Sequence, residues 1–176
     1  MATIVAVGLG VPFGVISAAR HNRLADRVTM VIALLGLSMP AFWLGLNLSL
    51  IFGVRLGVLP AAGYTAWAED PIDALLHLIL PAVSLGFAQA GLIARMTRSS
   101  MLDVLGQDYI RTARAKGLAD RVVTYKHALK NSLIPTLTVI GLTVSTLAGG
   151  SVVTETVFTR PGAGRLLLQS VLRRDY

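Results

Sequence analysis

The sequence has no cysteine among its 176 residues. That excludes a disulfide framework, a thiolate-ligated zinc site and a thiol nucleophile, and leaves the redox compartment unread. Charge is scarce: Asp, Glu, Lys and Arg make up 14% of the chain, where a soluble domain carries about a quarter. No G-x-x-x-x-G-K-[ST] loop occurs, and none of Lys116, Lys126 and Lys130 follows a glycine, so the chain lacks the usual phosphate cradle for ATP. The first residues have no basic n-region and lead to no A-x-A cleavage site, so no secretory signal is read. No carboxylate pair, metal-ligand cluster or nucleophile–base spacing stands out, which argues against an enzyme and against a metal site.

What is present is hydrocarbon. Hydrophobic residues make up 54% of the chain, and the mean hydropathy is +0.68. Runs free of Asp, Glu, Lys and Arg cover residues 1–19, 28–54, 74–94 and 131–154. Each is near the roughly 20 residues that a helix needs to cross a bilayer core, so the expected architecture is an all-α, polytopic membrane bundle of four spans forming one domain over residues 1–176. Each span holds one proline, Pro12, Pro40, Pro81 or Pro135, which predicts kinks or breaks. Gly8, Gly10, Gly14, Gly86 and Gly91 predict close helix contacts.

Residues 20–27 and 95–130 carry eleven of the sixteen basic residues and a net charge of +7. Residues 55–73 carry −2, and the tail 155–176 carries +2. The positive-inside rule puts the two basic connections in the cytoplasm. Residues 55–73, with Tyr64 and Trp67 suited to an interface belt, and the tail then fall on the outer face.

The densest basic stretch is YIRTARAKGLADRVVTYKHALKNSLIP, from Tyr109 to Pro135. Met101, Leu105, Tyr109 and Ala113 recur every four residues, which predicts one apolar helix face. Gly117 predicts a helix stop. Asp120 is expected to cap a second short helix carrying Val122, Val123 and Tyr125. Three readings fit such a loop. Attraction of anionic lipid needs no ordered helices. Nucleic-acid binding has only Tyr109 and Tyr125 for stacking and no reader motif. A rigid knob offered to a cytoplasmic partner uses every feature.

The phrases GQDYIRTARAKGL…HALKNSLIPTLTVIG, LGLSMPAFWLG (Leu35–Gly45) and ETVFTRPGAGRLL…RRDY (Glu155–Tyr176) resemble the membrane-spanning permease subunits of bacterial ABC importers, in the dipeptide/oligopeptide/nickel branch. The resemblance covers essentially the whole chain. The central phrase is similar to the cytoplasmic EAA loop of that family, whose general pattern is E-A-A-x-x-x-G, nine residues, then I-x-L-P. Ala113, Gly117 and Leu129 match it. Arg111 stands for Glu, Thr112 for Ala, His127 for Ile and Lys130 for Pro.

The resemblance implies a type I importer transmembrane domain and a coupling helix near 118–125 that sits in a cleft of an ATPase. Arg111, Ala113, Lys116, Gly117, Leu118, Asp120, Val122, Val123 and Leu129 are the docking candidates. It also implies a second homologous permease subunit, an extracytoplasmic substrate-binding protein and a bacterial inner-membrane location, with no nucleic-acid partner. No cofactor would be held by this chain, since ATP would be used by the partner. Asn47, His77, Gln89 and Glu155 are candidates for the pathway or its gate, with Glu155 also expected to pair with Arg160 or Arg165. Such permeases have about six spans as a family, so this chain is read as truncated at both ends. The other reading is a non-transporting membrane anchor or scaffold that recruits a cytoplasmic partner through its basic loop.

Overall fold

The computed structural model describes residues 1–148 and 152–173, and every regular element among them is helical. The longest is α4, Pro71–Leu105. Its start is written locally: Pro71 opens the first turn, and the Asp70 carboxylate accepts the free N–H groups of Ile72 at 2.9 Å and Asp73 at 3.1 Å, which satisfies two otherwise orphaned donors. At 1.5 Å per residue its 35 residues extend about 52 Å. The expected span 74–94 is its middle, and Arg95 and Arg98 ride on a helix that continues beyond it.

α1 (Ala2–Ala19) lies parallel to α4, because their contacts climb in step: Gly86 meets Ala2 and Val5, Gly10 meets Ile93, and Gly14 meets Thr97. A Cβ on Gly10 would lie 2.7 Å from that of Ile93, and one on Gly14 would lie 2.5 Å from that of Thr97. Glycine at these two positions is therefore what lets the backbones approach. Gly8, expected to act likewise, faces open space. α2 (Leu24–Ser38) packs on α4 in the opposite direction, and a Cβ on Gly91 would fall 2.3 Å from the Ala33 carbonyl oxygen.

The expected span 28–54 is not one rod. After α2 the axis turns by 100° into α3 (Ala41–Leu48), whose winding widens into π turns from Ser49 to Arg55. Met39 is extended, with φ −85° and ψ 127°. A residue before proline is driven out of the helical region by the ring that follows it. Pro12, Pro81 and Pro135, by contrast, stay inside α1, α4 and the helix Leu129–Ala148.

α7 (Leu129–Ala148) runs antiparallel to α4: its Val139 faces Leu92 and its Leu147 faces Leu85 across shared cavities. It covers 131–148 of the fourth expected span, and 152–154 fall in a further helix, Val152–Val157; residues 149–151, and Arg174, Asp175 and Tyr176 of the expected tail, lie outside the described residues. Two helices, α1 and α4, are each long and apolar enough to cross a membrane, and α2 with α3 makes a third if the bent pair counts as one span. Many large side chains on the outside are apolar, among them Leu34, Leu35, Phe42, Trp43, Ile134, Leu137 and Leu142, as suits helices bathed in lipid.

These directions sort the connections. The turn 20–23, the C-terminal end of α4 and the stretch 106–128 gather at one end of the bundle. At the other end the Gly63 N–H donates to the Phe158 carbonyl at 2.9 Å, and the Arg160 guanidinium lies 5.5 Å from the Tyr64 ring centre. Both basic connections thus share one end, opposite the segment of net charge −2.

Candidate functional site

The basic end carries a hairpin. α4 stops at Leu105, and the chain re-enters a helix at α5 (Asp108–Ala115). This break resets the helical phase, so the expected stripe through Tyr109 does not form: Tyr109 is exposed and Ile110 is fully buried. Ile110 joins Met101, Val123, Ala128, Val15 and Ala18 in one apolar cluster, which seats the hairpin on α1 and α4. The Tyr109 hydroxyl accepts from Asn131 Nδ2 at 2.8 Å, tying α5 to α7.

Gly117 ends α5 as expected. Its φ is +79°, its N–H donates to the Arg114 carbonyl at 2.9 Å, and the Leu118 N–H reaches back to the Ala113 carbonyl at 3.3 Å. These two bonds make a Schellman close. A Cβ here would touch nothing, so the demand for glycine is conformational rather than steric.

The expected cap at Asp120 is displaced by one residue. Ala119 occupies the cap position and Asp120 is the first residue of α6 (Asp120–Val122). Its carboxylate turns to Arg114, 3.2 Å from Nε, and so clamps the two arms of the turn. Nor is the following helix a separate short one. α6 passes through π turns at Val123–Ala128 directly into α7, because no glycine or proline interrupts residues 120–134.

Of the nine docking candidates, Arg111, Lys116, Gly117, Leu118, Asp120 and Val122 are exposed, Ala113 and Leu129 are partly covered, and Val123 is buried in the cluster beneath. The first six present a surface; the last three hold it in place.

Beside the hairpin sits a polar lock that the sequence reading missed. Asp26, 4% exposed, accepts from Arg98 Nε at 2.8 Å and Nη2 at 2.9 Å, from the Asn22 N–H at 2.9 Å, and from the Ser17 hydroxyl. Asn22 adopts φ +60° to bring its N–H round, a conformation asparagine tolerates better than most residues. The Arg98 guanidinium holds the Asp26 carboxyl well below the usual carboxylate range, and Asp26 in turn raises Arg98. The available signal was a lone acid among Arg20, Arg23 and Arg27.

Where α7 meets α4 lies a groove, walled also by α2 at one end and by Met1 and Ala2 at the other. Toward the basic end it holds a cavity of about 540 Å³, with Met30 and Leu34 of α2, Leu92, Arg95, Met96, Arg98 and Ser99 of α4 and Val139 of α7 in its lining. Toward the other end lies one of about 320 Å³, lined by Leu85, Leu147, Glu155 and Arg160 among others. Arg95 has no acidic partner among the described residues.

Of the four pathway candidates, Glu155 lines the outer cavity. Its carboxylate accepts the Arg165 main-chain N–H at 2.7 Å and rests against Gly162, where a Cβ would lie 2.2 Å from its Cδ. Among the described residues it pairs with neither the Arg160 nor the Arg165 guanidinium; the Arg165 main-chain N–H in the first turn of the helix Ala163–Arg173 engages it instead. Gln89 lies between the two cavities along α4. Asn47 donates to the Trp43 carbonyl at 2.8 Å, and His77 Nδ1 donates to the Asp73 carbonyl at 2.9 Å; neither lines the groove.

Residues 10–176 match the family of binding-protein-dependent transport system inner membrane components. The chain belongs to this family. It is 46% identical over 196 residues to the dipeptide transport system permease of Alkalihalophilus pseudofirmus, an alignment covering 99% of this chain and 59% of that protein. It is 43% identical over 198 residues to the dipeptide permease of Escherichia coli K12, covering 99% and 58% respectively. Against the glutathione transport system permease of Pectobacterium atrosepticum it is 50% identical over 171 residues, covering 97% and 53%. The chain therefore spans somewhat more than half the length of these relatives. Family membership and the long apolar helices α1 and α4 together place this inner membrane component in a lipid bilayer.

Proposed function

We propose that the chain is the membrane-spanning part of an ATP-driven importer of peptides or a related small solute in the bacterial cytoplasmic membrane. Solute would pass along the α4–α7 groove, and the hairpin would dock an ATPase made as a separate chain. A second permease subunit would complete the pathway, and an extracytoplasmic binding protein would deliver solute to the end that holds Glu155. The relatives' names, which concern dipeptide and glutathione transport, support the solute class.

One observation carries the docking assignment. Ile110, Val123 and Ala128 are fully buried beneath a turn whose Arg111, Lys116, Leu118 and Val122 are exposed. A knob rooted in the core of the bundle transmits a push, whereas a flexible basic tether would not. ATP-driven closure of two ATPases would carry the hairpin with it, and the helices would retilt between inward-open and outward-open states. Only differential affinity for those states shifts their balance.

Gly117→Pro tests this reading. Proline requires φ near −65°, and Gly117 has φ +79°. The variant is expected to lose co-purification with the ATPase and uptake together. An ATPase that stays bound and coupled would overturn the assignment. Binding that depends on Gly117 without any uptake by the wild type would favour the scaffold reading instead.

A further inference from the structure

A hollow of about 490 Å³ opens at the basic end, between the α1–α2 turn and the hairpin. Its lining includes apolar Ala18, Leu102 and Leu105, basic Arg20, Arg23 and Arg114, and also His21 and Asp120. The acids nearby are already engaged. Asp120 pairs with Arg114, and Asp26 is saturated by Arg98, Asn22 and Ser17. Arg20 and Arg23 are left without an acidic partner among the described residues. Two arginines with no acidic partner among the described residues therefore line one concave space.

We infer that this hollow binds the phosphate headgroup of an anionic phospholipid. Guanidinium forks match phosphate oxygens in pairs. The apolar lining comes from the ends of α1 and α4, the two helices apolar enough to cross a membrane, so an acyl chain leaving the headgroup stays against apolar surface. The volume of about 490 Å³ falls in the range of small-ligand sites and suits a headgroup. Because Arg20 and Arg23 sit on the α1–α2 turn and Arg114 on the hairpin, one bound headgroup braces the hairpin against the bundle. The inference rests on the membrane reading of α1 and α4 and not on ATPase docking.

The test uses the full-length subunit in the complex with which it purifies, placed in nanodiscs of phosphatidylcholine alone or mixed equally with phosphatidylglycerol. Native mass spectrometry counts the phosphatidylglycerol retained after delipidation. The double variant Arg20→Gln/Arg23→Gln is expected to retain about tenfold less than wild type, since each basic residue near a charged surface contributes modestly. Arg27→Gln, exposed on the same segment but outside the hollow, is expected to retain as much as wild type. Equal loss in Arg27→Gln would mean diffuse attraction and overturn the site. So would displacement of the lipid by millimolar inorganic phosphate, which would point to a soluble anion. Retention that appears only when the ATPase is stripped away would assign the hollow to an acidic partner surface. Unchanged thermal unfolding of the variants in phosphatidylcholine controls for folding. Lipid retention is scored without transport, so a subunit that binds lipid yet carries no solute counts against the proposed function alone.

Discussion

The two sides of α4 are built to opposite rules. Against α1 and α2 it is packed to backbone contact, with glycines at 10, 14 and 91 each excluding even a methyl group, and it is locked at one end by Asp26 and Arg98. Where α7 joins it, cavities of about 540 and 320 Å³ open, walled also by Met30 and Leu34 of α2 and by Ala2 of α1. Helices in lipid gain little hydrophobic energy from one another, so close approach and polar bonds decide which pairs hold together. The α1–α4 and α2–α4 seams have both devices, while space opens where α7 joins them. The seams read as a rigid unit, and the junction with α7 as a surface that can open.

The largest effect is expected on the tight side. Asp26→Asn leaves the Arg98 guanidinium without its charged partner and is expected to cost about 3 kcal/mol, read as a lowered thermal unfolding midpoint in detergent. The pH dependence follows from the depressed carboxyl. Its stabilisation is full above the ordinary Asp pKa of about 4 and is lost as pH falls through the lower native value. Wild type is therefore expected to lose an increment of stability in strong acid that the variant never has. An equally stable variant would mean the lock is decorative.

Gly14→Val comes next. Its methyl groups would overlap Thr97, where a Cβ alone would sit at 2.5 Å. Overpacking of this kind costs about 2 kcal/mol, measured in the same assay, and a neutral result would show that the seam yields. Gly117→Ala should cost about 1 kcal/mol for placing a Cβ at positive φ, with a larger fractional loss of ATPase-coupled uptake than of stability. The smallest stability effect is expected in the groove. Leu92→Trp enlarges a residue that is 40% exposed and borders the inner cavity, so unfolding should shift by less than about 0.5 kcal/mol while uptake falls. If Leu92→Trp destabilised the chain as much as Gly14→Val, the contrast between the two sides would fail.

Much of the hairpin was legible because its signals are local. Gly117 stops a helix through its own backbone freedom, whereas α4 runs past the expected end at 94, through Arg95 and Arg98, to Leu105. The stripe through Tyr109 misled because a periodic pattern counts residues as though the helix were unbroken, and the break at Gly106–Gln107 shifts the phase. Val122 and Val123 cannot be told apart by type; only the neighbours on α1 and α4 bury one and leave the other outside. The bend at Met39–Pro40 was written in the dipeptide, but its angle was not.

By itself, the amino-acid sequence determined which runs are apolar enough for lipid, where charge collects, and where single glycines and prolines stop or turn the chain. Each of these depends on a residue's own solvation or on its immediate neighbours along the backbone. The tertiary structure decided that Asp26 meets Arg98 across 72 positions, that both basic segments share one end, and that cavities open along α4 where α7 joins it. Those outcomes depend on which helix faces touch, and that choice is settled by packing and polar pairing between segments far apart in the chain.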